Sequence, residues 1–439
     1  MTTISKNYFY SPSTIKSFLV KSIDTTVSNI GCYSKSPGID FTRTRKIPAD
    51  TLLKFILQMT SKGMNSNLCD FFISINDLPS QSAMHQRRCL LYPDALRRVM
   101  RLFTDNIENL KTLNSYYVLS CDGSDINIPY NPEDKETFHE DKEGKRGYNQ
   151  LHLNSLYDCL NHVYQDIQID THEKKNETYA LEEMIQNHNY PDKSILICDR
   201  GYEKYNLMAL CTERNQKYVI RVKDINSNGI LSTMNLEDKE FDIDSIKVLT
   251  RFQTKEVKNN PEKYVRLMTN CPDFDFLNIE DDYYTLPLRI VRFKITDTTY
   301  ECLVTNLSRD EFPLESMKVL YHLRWDIEES YKALKYSVGL NTFCSKKQLL
   351  IKQEIYAKVI LYNLSSFIVN NTIIDKPTSE YKLNFKVAIT NVRLFLNEII
   401  DEENLILRLK KFLVPIRPGR TYERWIKPKC ATPLAYKHS

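Results

Sequence analysis

Between residues 116 and 222 the spacing of apolar side chains dictates the order in which strands and helices follow one another. That order narrows the fold more than any other feature of the chain. Tyr116-Tyr117-Val118-Leu119-Ser120-Cys121 reads as a strand, and Gly147 to Leu160 and Val163 to Ile169 alternate as two more, so the three form a meander. Asn176 to His188 has helical spacing. Ser194-Ile195-Leu196-Ile197-Cys198 is continuously apolar, as a strand covered on both faces must be. A helix over 203–215 and a strand from Tyr218 to Val222 follow.

Three strands, a helix, a strand, a helix and a strand are the order of a ribonuclease-H-like mixed sheet, so the fold class is α/β. Residues 226–308 break the pattern with turn residues, an acidic patch from Asp273 to Asp282 and strand-like runs at Leu286–Ile295 and Tyr300–Thr305. They read as a β-rich insertion placed before the sheet's final helix. The chain then divides into a helical region at 1–110, the first part of the core at 111–225, the insertion at 226–308, the second part of the core at 309–375, and a helical, basic region at 376–439. In the first region Pro48 to Thr60 opens with a proline suited to a first helical turn. Ser82 to Phe103 carries Arg87, Arg88, Arg97, Arg98 and Arg101 and is divided by Pro93. Short helices with arginine clusters are compatible with a helix-turn-helix-like DNA binder or with a small bundle whose arginines are solvated. Glu354 to Val369 is apolar enough for a core helix.

Charge is unevenly spread. Residues 1–110 hold 14 Lys/Arg against 8 Asp/Glu and residues 401–439 hold 9 against 4, while the whole chain is only +4, so the centre is net negative. Basic ends around an acidic centre suit a protein that grips a polyanion at its flanks and binds cations centrally; ordinary variation between surface patches gives the same counts. No apolar run reaches the ~18 residues that span a bilayer, and the N-terminus lacks a signal-peptide layout. Eleven scattered cysteines without a Cys-x-x-Cys pair read as reduced thiols of a cytoplasmic protein. None of the ten glycines falls in a dinucleotide or P-loop pattern, and neither H-E-x-x-H nor G-x-S-x-G occurs.

The chemistry is carried by three acids. Two apolar strands each end in Cys-Asp, at Asp122 and Asp199, with a glycine one or two residues later. Reactive groups of open α/β sheets collect at such strand ends, although Asp-Gly is also ordinary turn chemistry. The third acid lies in Tyr321-His-Leu-Arg-Trp-Asp-Ile-Glu-Glu-Ser-Tyr-Lys-Ala-Leu-Lys335. Wound as one helix, this segment puts Tyr321, Arg324, Glu328 and Lys335 on a strip about 60° wide. Leu323, Ile327, Tyr331, Leu334 and Val338 form a buried stripe beside it. Asp326 and Glu329 point elsewhere, so the geometry selects Glu328. Three carboxylates suit a pair of Mg²⁺ ions, with Mn²⁺ as a substitute, better than zinc. Arg324 and Lys335 would hold adjacent phosphates or, alternatively, form a structural salt-bridge face.

Tyr321-x2-Arg324-x3-Glu328-x6-Lys335 resembles the YREK signature of DDE transposases in the insertion-sequence-four family. Asp122-Gly123-Ser124 and Asp199-Arg200-Gly201-Tyr202 are similar to that family's first and second aspartate motifs. Asp40-Phe41-Thr42-Arg43 and the closing Arg417-Pro418-Gly419-Arg420 also resemble stretches of these proteins. The family often has an aromatic three residues beyond the second motif's glycine, where this chain has Lys204 between Tyr202 and Tyr205. The resemblance implies a catalytic, metal-holding triad of Asp122, Asp199 and Glu328, with DNA contacts from Tyr321, Arg324 and Lys335. Trp325 resembles a position used near the DNA end in some relatives, where it would stack on a displaced base or else pack internally. Implied partners are double-stranded DNA, as terminal inverted repeats and as target, and a second copy of the chain in a homodimeric synaptic complex. The implied setting is the bacterial cytoplasm, associated with the nucleoid and not with a membrane. The reaction would be cut-and-paste transposition through a hairpin intermediate, with residues 1–110 binding the ends and 376–439 contacting DNA or the partner. An inactive DNA-binding regulator and a ribonuclease-H-fold nuclease remain alternative readings.

Overall fold

The meander and crossovers form one half of a ten-stranded sheet in the computed structural model, which describes residues 9–43, 46–108, 110–140, 146–171, 175–187, 193–267, 274–277 and 283–417. Five helices come first: α1 (Pro12–Ser28), α2 (Ala49–Gln58), α3 (Met64–Phe71), α4 (Gln81–Arg88) and α5 (Asp94–Asp105). The Ser11 and Ser80 side chains accept N–H groups at the starts of α1 and α4, as expected of N-caps. Pro93 falls between α4 and α5, where it ends one helix and opens the next.

The core follows as β1 (Tyr117–Ile128), β2 (Phe138–His139), β3 (Tyr148–Asp158), β4 (Val163–Thr171), α6 (Glu177–Asn187), β5 (Ser194–Cys198), α7 (Tyr205–Glu213) and β6 (Lys217–Val222). β3 runs antiparallel to both β1 and β4, whereas β5 is parallel to β1 and β6 is parallel to β5. The order β4-β3-β1-β5-β6 is the ribonuclease-H-like arrangement expected from the sequence. β1 is longer than its apolar stretch suggests. It continues through Asp122, Gly123 and Ser124 to Ile128, because β3 pairs with it along that whole length. Asp122 therefore lies inside a strand instead of beyond its end, although the pairing of β1 with β5 stops at Ser120.

The insertion contributes β7 (Phe241–Thr250), α8 (Lys255–Asn259), β8 (Tyr264–Arg266), β9 (Tyr283–Lys294) and β10 (Tyr300–Thr305). β10 pairs antiparallel with β6, and β9, β7 and β8 follow in order, so the insertion extends the main sheet. The expected acidic patch at 273–282 falls mostly outside the described residues. After it come α9 (Leu314–His322), α10 (Trp325–Ala333), α11 (Gln348–Asn370), β11 (Tyr381–Leu383), α12 (Phe385–Leu396), α13 (Glu402–Lys411) and β12 (Leu413–Pro415), with β11 and β12 pairing as a separate ribbon. The closing basic segment, past Arg417, also lies outside the described residues.

One core packs α1–α5 and α9–α12 against one face of the sheet around α11, and the other packs α6 and α7 against the opposite face. Although α11 is buried almost from end to end, it carries Gln353, Glu354, Lys358 and Asn363. Among the described residues no helix is long and apolar enough to cross a membrane.

Most of the N-terminal arginine cluster is committed to this packing. Arg88 is fully buried and bonds Glu354 (3.2 Å), Gln353, Ser345 and the Leu350 carbonyl. The Arg87 Nε donates to the Ile47 carbonyl (2.8 Å). Arg97 and Arg101 both grip the buried carboxylate of Asp166 on β4, at 3.0 Å and 3.1 Å. These two cations outweigh the cost of burial and hold that carboxyl below its ordinary value. Arg98 alone of the five is exposed.

Candidate active site

Asp122 and Asp199 arrive side by side because β1 and β5 are parallel neighbours. Their last paired residues are Ser120 and Ile197, so the two acids sit level, each two residues further on. Alternation along each strand sends Leu119, Cys121, Leu196 and Cys198 into the α6–α7 core. Asp122 and Asp199 consequently face the α10 side of the sheet. Asp199 leaves β5 to cap a short 3₁₀ turn, Arg200–Tyr202, with its Oδ1 accepting the Gly201 N–H at 2.7 Å. A Cβ on Gly201 would stand only 3.1 Å from that oxygen, which accounts for the motif glycine. Tyr202 is buried with Cys121 Sγ 3.3 Å from its hydroxyl, so it packs beneath the acids.

Burial pushes the Asp122 carboxyl up to about 7. The Gly123 N–H and Arg324 pull it down, and the neighbouring Asp199 and Glu177 push it further up. Among the described residues no side-chain cation bonds it directly. A desolvated, oxygen-only donor beside a second carboxylate fits a hard divalent cation.

The segment bearing the third acid is not one regular helix. α9 ends at His322, and Leu323 and Arg324 keep helical angles but form a turn before α10 begins at Trp325. Leu334–Val338 then widens into a π turn closed by Gly339 at φ +94°. The strip expected from a uniform 100° step is therefore approximate, yet the stripe beside it holds: Ile327, Tyr331, Leu334 and Val338 are buried and Leu323 partly so.

Arg324, Glu328 and Lys335 of the strip already have internal partners. Arg324 is buried, and its Nη2 bonds Glu328 Oε1 at 2.7 Å while its Nε has no partner. Lys335, in the π turn, donates from Nζ to Ser124 Oγ (2.7 Å) and to the Asp125 carbonyl (2.9 Å), and burial lowers its pKa. Tyr321 is buried with an unpartnered hydroxyl. Burial raises its pKa, and Arg221 and Arg324 pull the other way. Trp325 is exposed, with the Arg324 guanidinium 4.6 Å from its ring centroid, so it is not a core residue.

Among the described residues no three His, Cys, Asp or Glu side chains are gathered closely enough to hold an ion as they stand. Asp122 and Asp199 are adjacent, while Glu328 is turned onto Arg324. Three oxygen donors of the right chemistry are present, with one oxygen of Glu328 already bonded to Arg324.

Two features escaped the sequence reading. Arg221 is the next-to-last residue of β6, and since Cys198 pairs with Ile220, it stands level with Asp199 on the next strand and the same face. Its Nη1 meets Glu301 at 3.2 Å and its buried Nε has no partner. An arginine interrupting the apolar strand Tyr218 to Val222 was the available signal. On the opposite face, His152 of β3 bridges Asp125 (2.7 Å) and Glu177 at the start of α6 (3.2 Å). The second contact is an ion-pair distance without hydrogen-bond alignment, since His152 Nε2 has no hydrogen-bond partner. Burial pulls the imidazole pKa down, but the two carboxylates outweigh it and raise it. Gly123 passes directly over this pair, and a Cβ there would clash with both Glu177 and His152.

Residues 113–364 match the family model described as a transposase DDE domain. No curated protein sequence matches the chain. Among solved structures the chain is similar to a piggyBac transposase synaptic complex with hairpin DNA determined by cryo-EM, at 13% sequence identity and a TM-score of 0.45, over 96% of this chain and 89% of that one.

Proposed function

Because the chain belongs to the family with a transposase DDE domain, we propose that it performs Mg²⁺-dependent cut-and-paste transposition with Asp122, Asp199 and Glu328 as its catalytic acids. The observation that carries the reading is the level placement of Asp122 and Asp199 on adjacent parallel strands, faced by the helix that bears Glu328. The YREK spacing supports a reading within the insertion-sequence-four group.

Asp122, Asp199 and Glu328 would hold the metal, as one or two ions, and bound Mg²⁺ would supply charge stabilisation for an in-line displacement at phosphorus. Water attacks a phosphodiester at the element's end, and the bond to the 3′-oxygen breaks to leave a 3′-hydroxyl. That hydroxyl attacks a target phosphodiester through a second displacement, one P–O bond forming for each that breaks. Arg324, Lys335 and the Tyr321 hydroxyl orient the end phosphates, and Arg221 adds a guanidinium on the Asp199 side. Exposed Trp325 stacks on a displaced base. Terminal inverted repeats and target DNA are the substrates, and a homodimer forms the synaptic complex. DNA contacts of the N-terminal helices fall to Arg98 and other exposed cations, since Arg87, Arg88, Arg97 and Arg101 hold the fold.

The test uses DNA carrying the inverted repeats that border the gene. Alanine at Asp122, Asp199 or Glu328 should abolish Mg²⁺-dependent cleavage and leave end binding measurable. Pre-cleaved ends should be joined to a supercoiled target, which a nuclease or an inactive regulator does not do. An active triple variant overturns the assignment.

A further inference from the structure

We infer that Tyr331 is a positioning residue, whose hydroxyl fixes the separation between Glu328 and Asp122 and thereby the geometry offered to the metal. This rests on the assignment of those two acids as ligands.

The buried stripe of this segment needs only apolar volume. Ile327, Leu334 and Val338 supply it without a polar atom. Tyr331 occupies the same stripe but brings a hydroxyl, which in a dry core costs free energy unless it is bonded. It is bonded to the site itself: Oη donates to the main-chain carbonyl of Asp122 at 2.7 Å and lies 3.4 Å from the Leu153 carbonyl of β3. Tyr331 is three residues beyond Glu328, one turn along α10. A single side chain thus ties the helix carrying one acid to the backbone of the other.

The tie matters because little else holds the two together directly. Glu328 is bonded to Arg324 on its own segment, and Lys335 reaches β1 only at Ser124 and the Asp125 carbonyl. Mg²⁺ demands near-ideal octahedral geometry, so a small drift of α10 against β1 would weaken binding more than it would weaken packing. Neighbouring hydroxyls serve packing alone. Ser330 bonds Tyr164 (2.8 Å), and Tyr157 bonds Tyr362 (3.1 Å), with no contact to an acid's backbone.

The experiment compares Tyr331→Phe, which keeps the ring, with Ser330→Ala, which removes the adjacent buried hydroxyl. Mn²⁺ binding to the DNA-free protein is measured by electron paramagnetic resonance, melting temperature by calorimetry, and end joining in Mg²⁺. Tyr331→Phe should weaken Mn²⁺ binding about tenfold and raise the Mg²⁺ needed for half-maximal joining. Ser330→Ala should lower the melting temperature with wild-type Mn²⁺ affinity. Wild-type Mn²⁺ affinity in Tyr331→Phe, or an equal loss in both variants, overturns the inference. Asp122→Asn separates the two levels. If it loses Mn²⁺ and activity while Tyr331→Phe does not, the positioning role alone fails; if it keeps both, the acid assignment fails with it.

Discussion

Replacing Asp122 with asparagine should make the metal-free protein more stable above neutral pH. The carboxyl starts from an ordinary value of 3.8 and burial pushes it up to about 7 in the folded chain. Below about pH 4 it is protonated in both the folded and unfolded states, and its ionisation has no effect on stability. As pH rises from about 4 to about 7 the unfolded chain ionises first, so stability falls. Above about 7 both states are ionised and the full penalty remains. At about 1.4 kcal/mol per pH unit that penalty is about 4 kcal/mol, and residual solvent contact reduces the expected gain to roughly half. Asparagine has nearly the same shape, keeps an oxygen for the Gly123 N–H and carries no charge at any of these pH values. Calorimetry in EDTA at pH 5 and pH 8 should therefore show a variant with a small advantage over wild type at the lower pH that grows to a few degrees at the upper one. Adding Mg²⁺ should raise the wild-type melting temperature by mass action and leave the variant unmoved. A variant that melts below wild type at pH 8 in EDTA would refute the view that Asp122 is a strained, cation-seeking carboxylate.

Two further outcomes test the surroundings of that acid. Gly123→Ala should displace the His152–Glu177 pair beneath β1, destabilising the protein by about 1–3 kcal/mol as overpacking does and abolishing end joining; wild-type denaturant unfolding together with wild-type joining would contradict the close approach described here. Arg324 bonds Glu328 Oε1, so metal coordination by that carboxylate should loosen the pair, free the guanidinium for phosphate and tighten binding of DNA ends by a coupling of about 1–3 kcal/mol. Equal end affinity with and without Mg²⁺, measured by anisotropy at fixed ionic strength, would show that no such exchange occurs.

The sheet order was legible because it rests on local periodicity. Ser194–Cys198 is apolar without interruption, and only a strand between two neighbours uses such a run. What periodicity cannot supply is a partner far away in sequence. Gly123, Ser124 and Asp125 read as a turn on their own residues, but β3 pairs with each of them and draws β1 onward to Ile128. The insertion joins the main sheet through β10 and β6, a pairing across about 80 residues that no local pattern announces.

The same distance hid the use of the charges. Arg88 looked like a solvated or DNA-facing cation until Glu354 and Gln353, more than 260 residues later, closed around it. Arg97 and Arg101 share Asp166, which lies on a strand that reads as an ordinary member of the meander. At the site, spacing along one helix put Tyr321, Arg324, Glu328 and Lys335 on one strip, of which the structure pairs Arg324 with Glu328. It could not show that Arg324 already neutralises Glu328, nor that Lys335 is anchored to β1 through Ser124. A helical wheel reports which side chains share a direction, whereas their state depends on what the rest of the chain presents to that direction. In the DNA-free protein Arg324 is engaged by Glu328, and Lys335 by Ser124 and the Asp125 carbonyl of β1. On the proposed function, entry of the substrate would be an exchange of partners in which Arg324 and Lys335 give up these contacts for phosphate, so its affinity would depend on what those contacts cost to break.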